Sequence, residues 1–84
     1  MQEQDRLKIR GLLERHMPDY DLKDDEDIFA TGFVNSLFMM QLVLFLEKTF
    51  DVVFENEDLD TDNFRSVNAI LALLERKQIA GSAA

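Results

Sequence analysis

Between Leu37 and Phe50 the chain is almost wholly apolar, and its clearly polar members are Gln41, Glu47 and Lys48. In a chain of 84 residues such a run is a helix or a buried strand. A wheel at about 100° per residue with Leu37 at zero puts Gln41, Glu47 and Lys48 near 40°, 280° and 20°. These mark the wet face, and Met39, Leu42, Val43, Leu46 and Phe50 lie opposite as core. Leu37, Met40 and Leu44 fall at about 0°, 300° and 340°, among the polar residues. The pattern predicts a helix from Ser36 to about Phe50 that leaves an apolar strip exposed. Strips of this kind, rimmed by charge, are commonly partner surfaces, and methionine suits a surface that must repack. A fourth element could cover the strip, but it would bury the polar trio as well.

Two further helices are expected. In residues 5–16, Ile9, Leu12, Leu13 and His16 recur at helical spacing after Asp5 as a candidate cap, and Pro18 ends the segment. His16 reads as a residue at the edge of the core. The last helix begins with Ser66 as cap and carries Val67, Ile70, Leu71 and Leu74, with Arg76 and Lys77 at its C-terminal end. Residues 17–35 form a long connection, with Ile28, Phe29, Phe33 and Val34 as candidates to anchor it. Residues 56–61 suit one short acidic helical turn. Three apolar stripes must share one core, so the expectation is an all-α single domain: a small four-helix bundle of three long helices and one short, with a long first loop. Its ordered core is expected over about 5–77, with a flexible tail over 78–84.

The chain has no cysteine, which excludes disulfides and thiolate metal sites. The run Leu42–Leu46 is too short to span a membrane and no basic-then-apolar leader opens the sequence, so a cytoplasmic protein is expected. Net charge is −8, unevenly placed: residues 19–62 hold thirteen acids against Lys23 and Lys48. That field repels nucleic acid and favours basic partners.

The chemistry-bearing residues are few. His16 is the only histidine and no nucleophile-elbow motif surrounds Ser36, so hydrolysis is poorly supported. Asp58-Leu59-Asp60-Thr61-Asp62-Asn63 resembles a calcium loop only at first. Its sixth position is Asn63 and its twelfth is Ala69, where glycine and glutamate are required. Ser36 remains, at the junction of an acidic loop and the apolar helix. Its hydroxyl is expected at the exposed helix start, where backbone N–H groups and the dipole favour an anionic group such as a phosphate. The plainer alternative is that Asn35 or Ser36 simply caps the helix.

The run Asp27-Ile28-Phe29-Ala30-Thr31-Gly32-Phe33-Val34-Asn35-Ser36-Leu37 is followed by Met40-Gln41-Leu42-Val43, by Leu46-Glu47 and by Asn63 to Ile70. Over about residues 5–77 this resembles the acyl carrier proteins, the phosphopantetheine-carrying domains. The resemblance implies a non-catalytic carrier, monomeric, with 4′-phosphopantetheine placed on Ser36 from coenzyme A by a phosphopantetheinyl transferase. Asn35 would help position Ser36 for that enzyme. Leu37, Met40 and Leu44 would form an apolar docking face, and Glu47, Asp51, Glu55, Glu57 and Asp58 would make electrostatic contacts. Expected partners are acyl-loading and extender-modifying enzymes and the acyltransferase or ketosynthase of a synthase.

Two departures stand out. Asn35 occupies a position usually held by aspartate, and Phe38, Met39 and Gln41 are uncharged where the family usually carries acids. The string Gly32 to Phe38 is similar to small free-standing carriers of polyketide and hybrid peptide–polyketide pathways. That similarity implies a malonyl-type extender unit, such as hydroxymalonyl or methoxymalonyl, as cargo. Two other readings are an acidic helical protein-binding module with Ser36 as a cap, and a carrier of aminoacyl groups.

Overall fold

A computed structural model describes the backbone of residues 2–17, 19–32 and 34–83, and the side chains of 3–17, 19–32 and 34–77. Within these, three α-helices form: α1 (Gln2–His16), α2 (Ser36–Phe50) and α3 (Val67–Ala83). Single 3-10 turns occupy Ile28–Thr31, Asn56–Asp58 and Thr61–Phe64.

The expected four-helix bundle is therefore corrected to three helices. The acidic stretch 56–61 yields two 3-10 turns and no fourth helix. Its side chains bond the backbone: Asp58 Oδ2 accepts the Glu55 amide at 2.8 Å, and Asp60 Oδ1 accepts the Asp62 amide at 2.9 Å. Each bond caps its own short turn, Asp60 in extended backbone separates the two, and a segment this short cannot offset the cost of nucleating a longer helix.

Helix α1 starts earlier than its periodicity suggests. Asp5 lies inside it and, with Glu3, puts negative charge near the favourable end. Pro18, expected to end the helix, lies outside the described residues. Helix α3 opens as expected, with Ser66 Oγ accepting the Ala69 amide at 3.1 Å. The side chains of the expected loose tail, 78–84, lie outside the described residues, although the backbone of α3 continues to Ala83.

Ile9 and Leu13 of α1, Leu42 and Leu46 of α2, and Ile70, Leu73 and Leu74 of α3 are fully buried together with Phe64 and Val67. Phe54 meets Phe64 edge-to-face at 5.6 Å between ring centres. Leu12 is half-buried, while Phe38 joins the core.

The long connection is anchored twice over. Of the expected anchors Ile28 and Val34 are buried, Phe29 is half-buried against the core and Phe33 lies outside the described residues, while Met17 and Leu22 are buried as well. Polar links do the rest. The Asp24 carboxylate accepts from Arg6 and, at 2.6 Å, from Arg10, both on α1. The Asp24 carbonyl accepts the Asn68 amide of α3 at 3.0 Å. Asp27 Oδ1 accepts the Phe29 amide at 3.0 Å, while its Oδ2 accepts from Arg65 at 2.9 Å. Gly32, at φ 83, closes the Ile28–Thr31 turn in the left-handed region that glycine enters without strain. The segment that delivers the chain to α2 is thereby fixed against both other helices.

Candidate functional site

Ser36 is the first residue of α2, and Asn35 is its cap. Asn35 has extended backbone, and its Oδ1 accepts the Phe38 amide at 3.0 Å. The choice left open by the sequence is resolved in favour of Asn35. The Ser36 side chain is exposed, and its hydroxyl makes no hydrogen bond among the described residues. It therefore stands at the positive end of a fifteen-residue helix dipole, free of structural duty.

The apolar strip begins one residue later. Leu37, Met40 and Leu44 are 71%, 50% and 63% exposed, whereas Phe38, Met39, Leu42, Val43 and Leu46 of the same helix are buried. The wheel placed all three strip residues on the wet side, and there they lie. Val53, just beyond α2, is also exposed.

The five acids expected to contact partners divide into two kinds. Glu47 turns inward: its Oε2 accepts the Phe54 amide at 2.9 Å and its carbonyl accepts the Val52 amide at 3.3 Å. It holds the chain as it leaves α2. Asp58 is also engaged, with its Oδ2 2.7 Å from Lys77 Nζ, and Lys77 together with the Glu55 amide holds this carboxyl below the usual carboxylate range. Asp51, Glu55 and Glu57 are exposed and carry no ion pair among the described residues. The structure brings Asn35, Ser36, Leu37, Met40 and Leu44 onto the first turns of α2, while Glu47 and Asp58 are drawn into holding the segment between α2 and α3.

Much of the acidity upstream of Ser36 is likewise spent internally. Arg6 first, then Arg10, lowers the Asp24 carboxyl; the Tyr20 hydroxyl lowers Glu26; and Arg65 lowers Asp27. One neighbour of the site escaped the sequence reading. His16, expected at the core edge, is exposed and stacks on Phe38 with ring centres 3.8 Å apart and planes at 15°. It ties the end of α1 to the start of α2. The available signal was positional: His16 and Phe38 each end or open a helix at the two mouths of one connection.

No helix among the described residues is long and apolar enough to cross a membrane. No group of three or more His, Asp or Glu side chains that could hold a metal ion occurs among them either. Compared with known proteins, the chain matches no family model and no curated sequence.

Proposed function

We propose that this chain is a discrete acyl carrier protein, cytoplasmic and non-catalytic, with Ser36 as the attachment point for 4′-phosphopantetheine. The carrying observation is the exposed Ser36 hydroxyl, unbonded among the described residues, on a helix whose cap is supplied by its neighbour. A serine that only capped would accept a backbone amide, as Ser66 does.

The site fits the group it would take. The Ser36 oxygen is accessible to become bonded to phosphorus, with adenosine bisphosphate leaving coenzyme A and the hydroxyl proton passing to a base of the transferase. The first-turn N–H groups and the dipole favour the phosphodiester that results. When bound, the arm supplies the thiol that this chain lacks, on which acyl groups are held as thioesters. The protein's own contribution is delivery, because a flexible tether raises the effective concentration of cargo to the millimolar order at a docked enzyme. Leu37, Met40 and Leu44 offer that enzyme an apolar face, and Asp51, Glu55 and Glu57 offer charge to its lysines and arginines. Extender-modifying enzymes and an acyltransferase or ketosynthase are the partners this reading assigns, with a hydroxymalonyl- or methoxymalonyl-type unit as cargo.

The test is intact mass after incubation with coenzyme A, magnesium and a broad-specificity phosphopantetheinyl transferase, beside Ser36→Ala. One phosphopantetheine gained by the wild type alone supports the carrier. No gain with several transferases returns the chain to the protein-binding module, for which the same exposed strip would be the contact.

A further inference from the structure

Met40 follows Leu37 by three positions and precedes Leu44 by four, so it lies between the two leucines on one side of α2. Three of the chain's four methionines have described side chains, and they differ sharply in access. Met17 is 1% exposed, with its Sδ 3.8 Å from the Thr31 hydroxyl, and Met39 is 8% exposed, whereas Met40 is 50% exposed. The chain has no cysteine and no tryptophan, so its thioethers are the side chains that peroxide oxidises most readily. Of these three sulfurs, only that of Met40 is open to peroxide without the fold opening. Met40 is also absent from the buried core, so a change in its polarity falls on the surface strip and leaves the packing of α2 intact.

We propose that Met40 is a reversible oxidation site that switches off the apolar strip. The thioether sulfur attacks one oxygen of hydrogen peroxide. A sulfur–oxygen bond forms as the O–O bond breaks, and the released hydroxide takes the proton from the sulfur-bound oxygen and leaves as water. The sulfur loses two electrons and the peroxide gains them. The product is methionine sulfoxide, a polar hydrogen-bond acceptor set between Leu37 and Leu44. A partner that covers the strip must then bury this group with no donor opposite it, which weakens docking. Methionine sulfoxide reductases, each specific for one sulfoxide epimer, reverse the step. The loss of docking rests on the carrier reading; the site of oxidation does not.

The experiment treats the full chain and Met40→Leu with hydrogen peroxide in modest excess and follows oxygen uptake by intact mass, with fragment spectra that score each methionine. Among Met17, Met39 and Met40, the first oxygen is expected on Met40; uptake as fast at either of the others overturns the inference. Urea midpoints of oxidised and untreated wild type are expected to coincide, and a large fall on oxidation would overturn it by showing that Met40 serves the fold. As substrate of a phosphopantetheinyl transferase, with coenzyme A and magnesium, the oxidised protein is expected to show a KM raised about five-fold or more, with kcat little changed. Met40→Leu keeps the strip apolar and is expected to show no rise after the same treatment, while a sulfoxide reductase restores the wild type. An unchanged KM overturns the switch while the carrier reading stands. If no transferase modifies the untreated protein, the carrier reading and the switch fall together, and the oxygen mapping still decides the site.

Discussion

The Arg65 guanidinium meets the Asp27 carboxylate at 2.9 Å, joining residues 38 positions apart in the chain. The same arginine binds Asp62 at 3.0 Å, and its carbonyl accepts the Ile28 amide at 2.7 Å. One residue thus closes the long first connection onto the entrance of α3.

Acid should loosen this arrangement. Asp24, Glu26, Asp27 and Asp58 all have carboxyls held below their ordinary values, by Arg6, Tyr20, Arg65 and Lys77 respectively. A carboxylate lowered in the folded state contributes stability above its unfolded value and loses it as pH falls through the folded one. Urea midpoints should therefore drop as pH falls from about 4 toward 2. A midpoint at pH 3 equal to that at pH 7 would contradict the role given to these pairs. Asp24→Asn at neutral pH should cost roughly 1–2 kcal/mol, since two arginines lose a charged partner.

Ser36→Ala and Asn35→Ala should behave as opposites. The serine has no structural bond to lose, so its replacement should change unfolding free energy by less than about 0.5 kcal/mol while abolishing modification. Asn35→Ala removes the cap and should cost about 1 kcal/mol. Denaturant unfolding of the two variants decides it; a Ser36→Ala protein the less stable of the pair would show that the serine shares the capping.

The exposed strip and the buried face of α2 can be separated the same way. Leu44→Gln should leave stability within about 0.5 kcal/mol of wild type, whereas Leu42→Ala, on the fully buried side, should cost about 2–5 kcal/mol. If the strip is a docking face, Leu44→Gln should raise KM for a partner enzyme with little effect on kcat. An unchanged KM would remove Leu44 from that face.

Glu47 is assigned to the fold. Glu47→Ala should strip the Phe54 amide of its acceptor, cost about 1 kcal/mol and speed hydrogen exchange at that N–H. Glu47→Gln keeps an acceptor oxygen and should restore much of the protection. Equal exchange in all three proteins would contradict this assignment.

What the sequence made legible follows from what periodicity encodes. The faces of α2 were readable because burial repeats every 3.6 residues, and Leu37, Met40 and Leu44 share a side with Gln41 and Lys48 whatever their neighbours do. Phe50 was read as core and is only half-buried, with Lys8 5.6 Å above its ring. The short helix over 56–61 was misread because acid spacing says nothing of whether a carboxylate will bond its own backbone, as Asp58 and Asp60 do. Glu47 and Asp58 were read as outward charges for a related reason: an acid's partner is set by tertiary placement, and Phe54 and Lys77 are 7 and 19 positions away. The paired Arg6 and Arg10, one turn apart on α1, were a visible sign that an acid would be gripped there, but not which one.

Asp51 ends α2 at φ 55, with its N–H bonded to the Glu47 carbonyl and its side chain in solvent. Both circumstances work against the helix: the left-handed backbone is strained for a residue with a side chain, and the charge sits at the negative end of the dipole. Asparagine enters this conformation at least as readily and carries no charge, so Asp51→Asn should raise stability by a few tenths of a kcal/mol. The domain thus stops short of the sturdiest form open to it by a single substitution, and whatever that sturdier protein can no longer do will say what the acid is for.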